Sequence, residues 1–203
     1  MAENLEQLLQ SIENPVETFR NNDLGSLDQY VFPDEYTNWI EEQRAVRESV
    51  AIVDQSYHME TLRIEGPEAV DLLANLGVNN FTRIRTEDPP LAINLVVCNH
   101  DGYVIGDVIL FHLRENTFDA VGENYVNNWI KYTAEISDRD VTTRSLYDPY
   151  VEEGSPPDFR FQIQGPHAID VMEEVVDGPL PEIPFFQMDT IEIDGVETFA
   201  LGH

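Results

Sequence analysis

Four polar side chains of different chemistry lie close together after an apolar run in the first third of the chain. Asp54, Gln55, Tyr57 and His58 offer a carboxylate, an amide, a phenol and an imidazole. Such a set could hold a polar substrate and move a proton. The alternative is a polar strand end whose histidine is satisfied by its neighbours, and spacing alone does not decide between the two.

A second candidate is Asp107, which interrupts the apolar run of residues 104–110. A carboxylate there is costly to bury unless it is paired across strands or used in chemistry. Lys131, the only lysine, is expected on a helix surface. The histidines are otherwise isolated and no Cys-x-x-Cys occurs, so we predict no metal site.

These residues must be positioned by the elements around them, and one such element recurs. The pattern Ile-x-Gly-Pro-x-Ala-x-Asp begins at Ile64 and again at Ile163, 99 residues later. Gly-Pro predicts a turn, and proline suits the first turn of a helix. Each copy therefore predicts a strand, a turn and a helix.

Predicted hairpins outnumber predicted crossover units. Asp101-Gly102 and Asp194-Gly195 both separate apolar runs, which is the strongest short signal for a hairpin. We therefore expect an α+β fold of mixed, mainly antiparallel sheets with packed helices. The chain stops at Leu201-Gly202-His203, directly after a predicted strand, and we expect a fragment or a truncated reading frame.

The charge is strongly unbalanced, with Asp+Glu 39 against Lys+Arg 11 and a formal net charge of −28. The carboxylates are spread over the whole length, which favours a folded protein from a high-salt cytoplasm, where the Debye length shrinks to ~3 Å. The alternative is an acidic surface that recruits a basic partner. Nucleic acid is not an expected partner, because phosphates need a basic footprint. The N-terminus lacks the pattern of a secretory signal, and no apolar run approaches the ~18 residues of a membrane span. We expect a cytoplasmic protein without membrane partners.

The motifs, taken in order, resemble the folate-binding aminomethyltransferase family, whose founding member is the T-protein of glycine cleavage. The nearer similarity is to its tetrahydrofolate-dependent branch of vanillate- and syringate-type O-demethylases. The resemblance covers nearly all of this chain but only the N-terminal half of a typical member. The motifs that carry it are Asn38-Trp39, Asp54-Gln-Ser-Tyr-His-Met59, Ile64-x-Gly-Pro, Val104-Ile-Gly-Asp107, Asn128-Trp129 and Arg160-Phe-Gln-Ile-Gln-Gly-Pro166.

The resemblance implies a T-protein-like, incomplete folate-binding fold. Residues 1–53 plus 137–203 would form a discontinuous, truncated first domain, and residues 54–136 an inserted second α+β domain. It also implies transfer of a methyl or aminomethyl group from a small methylated substrate to the cofactor tetrahydrofolate, without a metal. A separate polypeptide could carry the missing C-terminal half. The open alternatives are a non-catalytic folate-binding or regulatory module and an inactive truncated family member.

Residue roles also follow from the resemblance. Tyr30, His58 and Asp107 are the expected catalytic residues, and Gln55 contacts the substrate. Asp107 falls where aminomethyltransferases carry an Asp-Asp pair that places folate and substrate, with Gly106 in place of the first aspartate. We also expect substrate contacts from the two residues Tyr57 and Glu123, and cofactor contacts from Asp107 and Asn128.

One departure bears on the substrate. The aryl demethylases carry an arginine that grips the substrate carboxylate where this chain has Glu123. A glutamate would repel a carboxylate. A neutral or cationic methylated compound therefore fits better, unless another arginine substitutes.

Overall fold

The computed structural model describes residues 10–14, 16–17, 36–148 and 156–203. The helices with described bounds are α1 (Trp39–Glu48), α2 (Ala69–Leu76), α3 (Thr82–Thr86), α4 (Asn124–Ile136) and α5 (Ala168–Val175). The strands are β1 (Ala51–Asp54), β2 (Glu60–Glu65), β3 (Leu91–Cys98), β4 (Val104–Arg114), β5 (Thr117–Gly122), β6 (Thr142–Tyr147), β7 (Phe161–Gln164), β8 (Met188–Ile193) and β9 (Val196–Leu201).

The largest sheet has five antiparallel strands in the order β3-β4-β5-β2-β6. Its first hairpin turns where Asp101-Gly102 predicted it. Gly102 lies at a positive φ of 83°, and the Asn99 side chain accepts from the backbone N–H of Tyr103 at 2.9 Å. The side-chain oxygen of Asn99 thus replaces ladder partners that the turn removes.

One contiguous core lies between this sheet and the helices α2, α3 and α4. Apolar residues alternate along β2 and recur at helical spacing along α2, so each element presents one apolar face to the other. The buried members include Leu62, Ile64, Leu72, Leu73 and Phe118.

A smaller sheet pairs β1 with β7 in antiparallel register, with Ile52 opposite Ile163. The neighbouring helices α1 and α5 contain no buried residue. A third sheet is the hairpin of β8 and β9, which turns at Asp194-Gly195 with positive φ at both residues, as the Asp-Gly signal predicts.

The recurring motif has the same backbone in both copies. Gly66 and Gly165 lie at φ +145° and +131°, which favours glycine. A Cβ would lie 2.2 Å from the Asp140 carbonyl oxygen in the first copy and 2.3 Å from the Ser49 carbonyl oxygen in the second. In each copy, the absence of a side chain lets the turn lie against the backbone that precedes the pairing strand. That strand is β6 in the first copy and β1 in the second.

The expected α+β class with antiparallel sheets is confirmed. The sequence patterns did not predict two of the elements, α3 and β6. Strand β6 pairs with β2 in the five-stranded sheet, although it lies beyond residue 136, where the predicted division closed the second domain. The division into two domains stays a prediction. In the described part of the chain, no helix is long and apolar enough to cross a bilayer.

Candidate functional site

The candidate site lies at one end of the five-stranded sheet, where β2 and β4 begin and β5 ends. We call this end of the sheet the site edge. Gly122 pairs with Glu60 on one side and with Val108 on the other. The antiparallel register therefore brings Asp107 and Glu123 to one edge, directly beside the end of the polar turn that leads into Glu60. The polar turn is thus a neighbour of Asp107 and Glu123 at one edge, although it is far from both in sequence.

Asp107 is exposed on β4, opposite Val96. In the amide orientation that satisfies both of its ends, Asn94 donates to Asp107 Oδ2 at 3.1 Å and to the Val108 carbonyl at 3.3 Å. The carboxylate is therefore solvated and fixed by one neighbour, and it does not carry the cost of burial that its apolar surroundings in the sequence indicated.

The residues from Asp54 to His58 form a tight turn between β1 and β2. The Asp54 carboxylate accepts from the Ser56 N–H at 2.8 Å, and the His58 N–H donates to the Gln55 carbonyl at 3.3 Å. The Gln55 amide donates to Gln162 Oε1 on β7 at 3.2 Å. The turn is thus anchored to the smaller sheet at one end and to the larger sheet at the other.

The ring of Tyr57 meets the ring of Tyr147 edge to face, with centroids 5.8 Å apart. Tyr147 is buried at the end of β6, opposite Thr61. The aromatic contact therefore ties the turn to the same sheet edge that carries Asp107 and Glu123. His58 is exposed in this turn.

Arg160 is a neighbour of the turn that sequence reasoning did not choose as a site residue. Its backbone carbonyl accepts from the Gln55 N–H at 2.7 Å, and its guanidinium Nη2 donates to the Gln55 carbonyl at 2.8 Å. Burial lowers the pKa of Arg160, and the nearby charge of Asp54 partly opposes this. Arg160 directly precedes β7, and the pairing of β7 with β1 brings it to the turn.

A buried polar cluster beneath α4 was also missed. Glu60 is fully buried, and its Oε1 accepts from Lys131 Nζ at 2.9 Å and from Ser145 Oγ at 3.0 Å. The Asn127 amide donates to the Glu60 and Ala120 carbonyls, both at 3.4 Å. The expectation that Lys131 lies on the helix surface is therefore wrong, because its side chain reaches inward to Glu60. The cluster fixes the start of α4 over the site edge.

Asn128, the predicted cofactor contact, lies one residue further along α4 and is exposed. Its role stays a prediction, as do those of Gln55, Tyr57, His58, Asp107 and Glu123. Tyr30 lies outside the described residues. Among the described residues, no group of three or more His, Cys, Asp or Glu side chains is arranged to hold a metal ion.

Comparisons with known proteins agree on one family. The family model described as "GCVT N-terminal domain" matches residues 20–202. A syringate O-demethylase of Sphingobium sp. is 37% identical over the whole of this chain, and an aminomethyltransferase of Thermotoga maritima is 30% identical over 81% of it. The chain spans only 44% and 43% of the lengths of these two relatives.

A solved structure is similar in fold. The crystal structure of the glycine cleavage system aminomethyltransferase T from Bartonella henselae superimposes with a TM-score of 0.56 and 21% identity. The superposition covers 73% of this chain and 37% of that one. At this identity the likeness concerns the fold alone. The resemblance inferred from the motifs is confirmed.

Proposed function

Because this chain belongs to the GCVT N-terminal domain family, we propose that it forms the substrate side of a tetrahydrofolate-dependent one-carbon transferase. The reaction would move a methyl or aminomethyl group from a small methylated substrate, in an O- or N-demethylation. The observation that carries the proposal is the meeting of the Asp54–His58 turn with Asp107 and Glu123 at one sheet edge. A relative named for demethylation and relatives named for aminomethyl transfer support the reaction class.

The roles of the side chains follow from the needs of the reaction. When the bond from the methyl carbon to oxygen or nitrogen breaks, the leaving heteroatom takes up a proton. His58, which is exposed in the turn, would give that proton, with Tyr30 as the second expected donor. Gln55 and Tyr57 would orient the substrate, since the first is fixed to Gln162 and the second to Tyr147.

The polar side chains at the edge suit the hydrogen-bonding groups of a folate cofactor. Tetrahydrofolate, when bound, supplies the ring amine that takes up the one-carbon group. Asp107 offers an exposed carboxylate, and Asn94 contacts only its Oδ2. Its Oδ1 would accept N–H groups of the cofactor, and the exposed amide of Asn128 would add a second contact.

We further propose that a polypeptide equivalent to the second half of the relatives completes the protein. The chain covers 44% of the Sphingobium relative, and the sheet of β1 and β7 exposes 65% of Ile52 and 60% of Phe161. A two-stranded sheet is marginal by itself. Added strands and helices would bury this surface and supply the rest of the folate site. Without them, the chain would act as a folate-binding module or be inactive.

The spread of acidic residues supports a protein that works in concentrated salt, and we propose a high-salt cytoplasm as its setting. Screening weakens repulsion between carboxylates on the surface. Folding that is lost below about 0.1 M salt and regained above about 1 M would support this proposal. Folding that is equally stable at both concentrations would contradict it.

The test of function is a one-carbon transfer assay in concentrated salt with tetrahydrofolate and a panel of O- and N-methylated compounds. The chain is assayed alone and with a polypeptide that corresponds to the uncovered part of the Sphingobium relative. We expect methyltetrahydrofolate to form with one substrate of the panel. His58→Gln should lower the rate about a hundredfold, and His100→Gln, an exposed histidine at a hairpin tip, should leave it within about twofold. No transfer under either condition, or equal rates for both variants, would contradict the proposal.

A further inference from the structure

Arg160 is built into the site turn by several hydrogen bonds. Its backbone N–H donates to Ser56 Oγ at 2.8 Å, and its guanidinium Nη2 donates to the Gln55 carbonyl at 2.8 Å. Ser56 is buried, so this end of the residue is held in place. The bond to Gln55 uses one of the five N–H donors of a guanidinium, which leaves most of its donors for another partner.

The charge of Arg160 has no ion-pair partner within the described residues, although the chain has 39 carboxylates for 11 cations. Four other cations do pair: Arg63 with Asp119, Arg83 with Glu87, Arg85 with Asp71, and Lys131 with Glu60. Asp54 acts on Arg160 only at longer range, and it already accepts from the Ser56 N–H. A partly buried cation is thus left without close compensation, which an anionic ligand would supply.

A row of side-chain amides lies beside this cation on the same face of the smaller sheet. Gln55 donates to Gln162, which in turn donates to Gln164 Oε1 at 3.0 Å. Residues opposite each other in an antiparallel pair share a face, and Gln55 lies opposite Arg160. The row fixes the direction of the Gln55 amide next to the guanidinium, so a polar ligand would meet a cation and an oriented amide together.

The turn separates Arg160 from Glu123. Gln55, near its start, is bonded to Arg160, whereas His58, at its end, lies two residues before Glu60, the partner of Gly122. An anionic group held at Arg160 would therefore lie across the turn from the Glu123 carboxylate. The repulsion expected from Glu123 would therefore be weaker at that end of the site.

We propose that Arg160 is the anchor for an anionic group of the substrate, with Gln55 as its neighbour, so that this chain accepts carboxylate-bearing methylated compounds despite Glu123. This inference rests on the proposed function for the identity of the ligand, but not for the existence of the anion site. The guanidinium fork matches a planar carboxylate, which a lysine would not do equally well.

The test compares two probes of one shape, methoxybenzoate and methoxybenzamide, which differ in charge. Their binding to the full chain is measured by calorimetry for the wild type, Arg160→Gln, Arg160→Lys and the control Arg114→Gln. Arg114 is exposed at the far end of β4. We expect the wild type and Arg114→Gln to bind the carboxylate at least about tenfold more tightly than the amide. Arg160→Gln should lose this preference while binding the amide within about twofold, and Arg160→Lys should keep only part of it.

Three results would overturn the anchor. They are no preference in the wild type, equal behaviour of Arg160→Gln and Arg114→Gln, and an equal loss of both probes in Arg160→Gln and Arg160→Lys. The last result would mean that Arg160 only braces the turn. Because neither probe requires folate, carboxylate preference without any transfer would refute the proposed function and keep the anchor. Transfer without carboxylate preference would do the reverse.

Discussion

The two copies of the Ile-x-Gly-Pro motif have the same local structure but different surroundings. In both, the N–H of the alanine that begins the helix donates to the carbonyl of the motif glycine at 3.1 Å. The first copy leads into α2, which has four buried residues, and the second into α5, which has none. Leu62 is 0% exposed, whereas its counterpart Phe161 is 60% exposed.

The difference shows that a short motif determines the turn but not the burial of the strand and helix on either side of it. The first copy lies in a sheet with three further strands, β3, β4 and β5. These strands and the helix α4 contribute to the core that covers it. Within the described residues, the strand β7 of the second copy has β1 as its one pairing partner. The same local geometry can therefore lie in a finished core or at an open surface.

The largest expected difference between the copies is in the free energy of unfolding after truncation of matched side chains. Leu73→Ala empties a fully buried position and should lower stability by about 2–5 kcal/mol. Met172→Ala, at the matching but only partly buried position in α5, should cost roughly 1 kcal/mol or less. Urea unfolding of both variants in concentrated salt checks this. Equal losses would mean that the second copy is as well packed as the first.

A second difference concerns Glu60, the first residue of β2, and the residue 99 positions later, Phe159. Glu60 is buried with Lys131, whereas its counterpart Phe159 is exposed. Lys131→Met leaves the Glu60 carboxylate without its cation and should lower stability by roughly 1–3 kcal/mol, less than for a fully buried pair because Lys131 is 32% exposed. Adding Glu60→Gln should restore part of the loss, and Phe159→Ala should change stability by roughly 0.5 kcal/mol. A harmless Lys131→Met would refute a structural role for this pair.

The smallest expected effect is on the pH dependence of the free energy of unfolding. It comes from one histidine of the five-stranded sheet and has no counterpart in the second copy. His112 is buried and stacks on Phe118, with ring centroids 4.5 Å apart, and burial lowers its pKa. The unfolded chain then binds the proton more readily than the folded one, so the stability from neutral His112 is present above about pH 6.5 and is lost as pH falls through the folded pKa. His112→Phe keeps a stacked ring and should remove this component. Parallel stability curves for the wild type and His112→Phe between pH 7 and 5 would contradict it.

Much of the fold follows from local patterns. The Asp-Gly turns, the Gly-Pro motifs and the alternating strands predicted most elements and the antiparallel class. Helix α3 was missed because its five residues, Thr-Arg-Ile-Arg-Thr, have no apolar face to read. Strand β6 was missed because its sequence, Thr-Thr-Arg-Ser-Leu-Tyr, is largely polar, and pairing with β2 brings it into the sheet.

The candidate site divides in the same way. The turn residues Gln55, Tyr57 and His58 could be chosen from sequence because they lie next to one another. The partners that fix the site could not, because Arg160 and Lys131 meet Gln55 and Glu60 across more than 70 residues. Their contacts depend on strand register and helix placement, which a local pattern does not contain.

The most direct test of the proposed folate site is calorimetric binding of tetrahydrofolate to the chain in concentrated salt, alone and with the completing polypeptide. We expect saturable binding in at least the completed form. Asp107→Asn should weaken it by about tenfold or more, and Asp101→Asn, an exposed aspartate in the hairpin turn, should leave it unchanged. No saturable binding in either form, or equal binding by the two variants, would contradict the assignment of this sheet edge to a folate-dependent transferase.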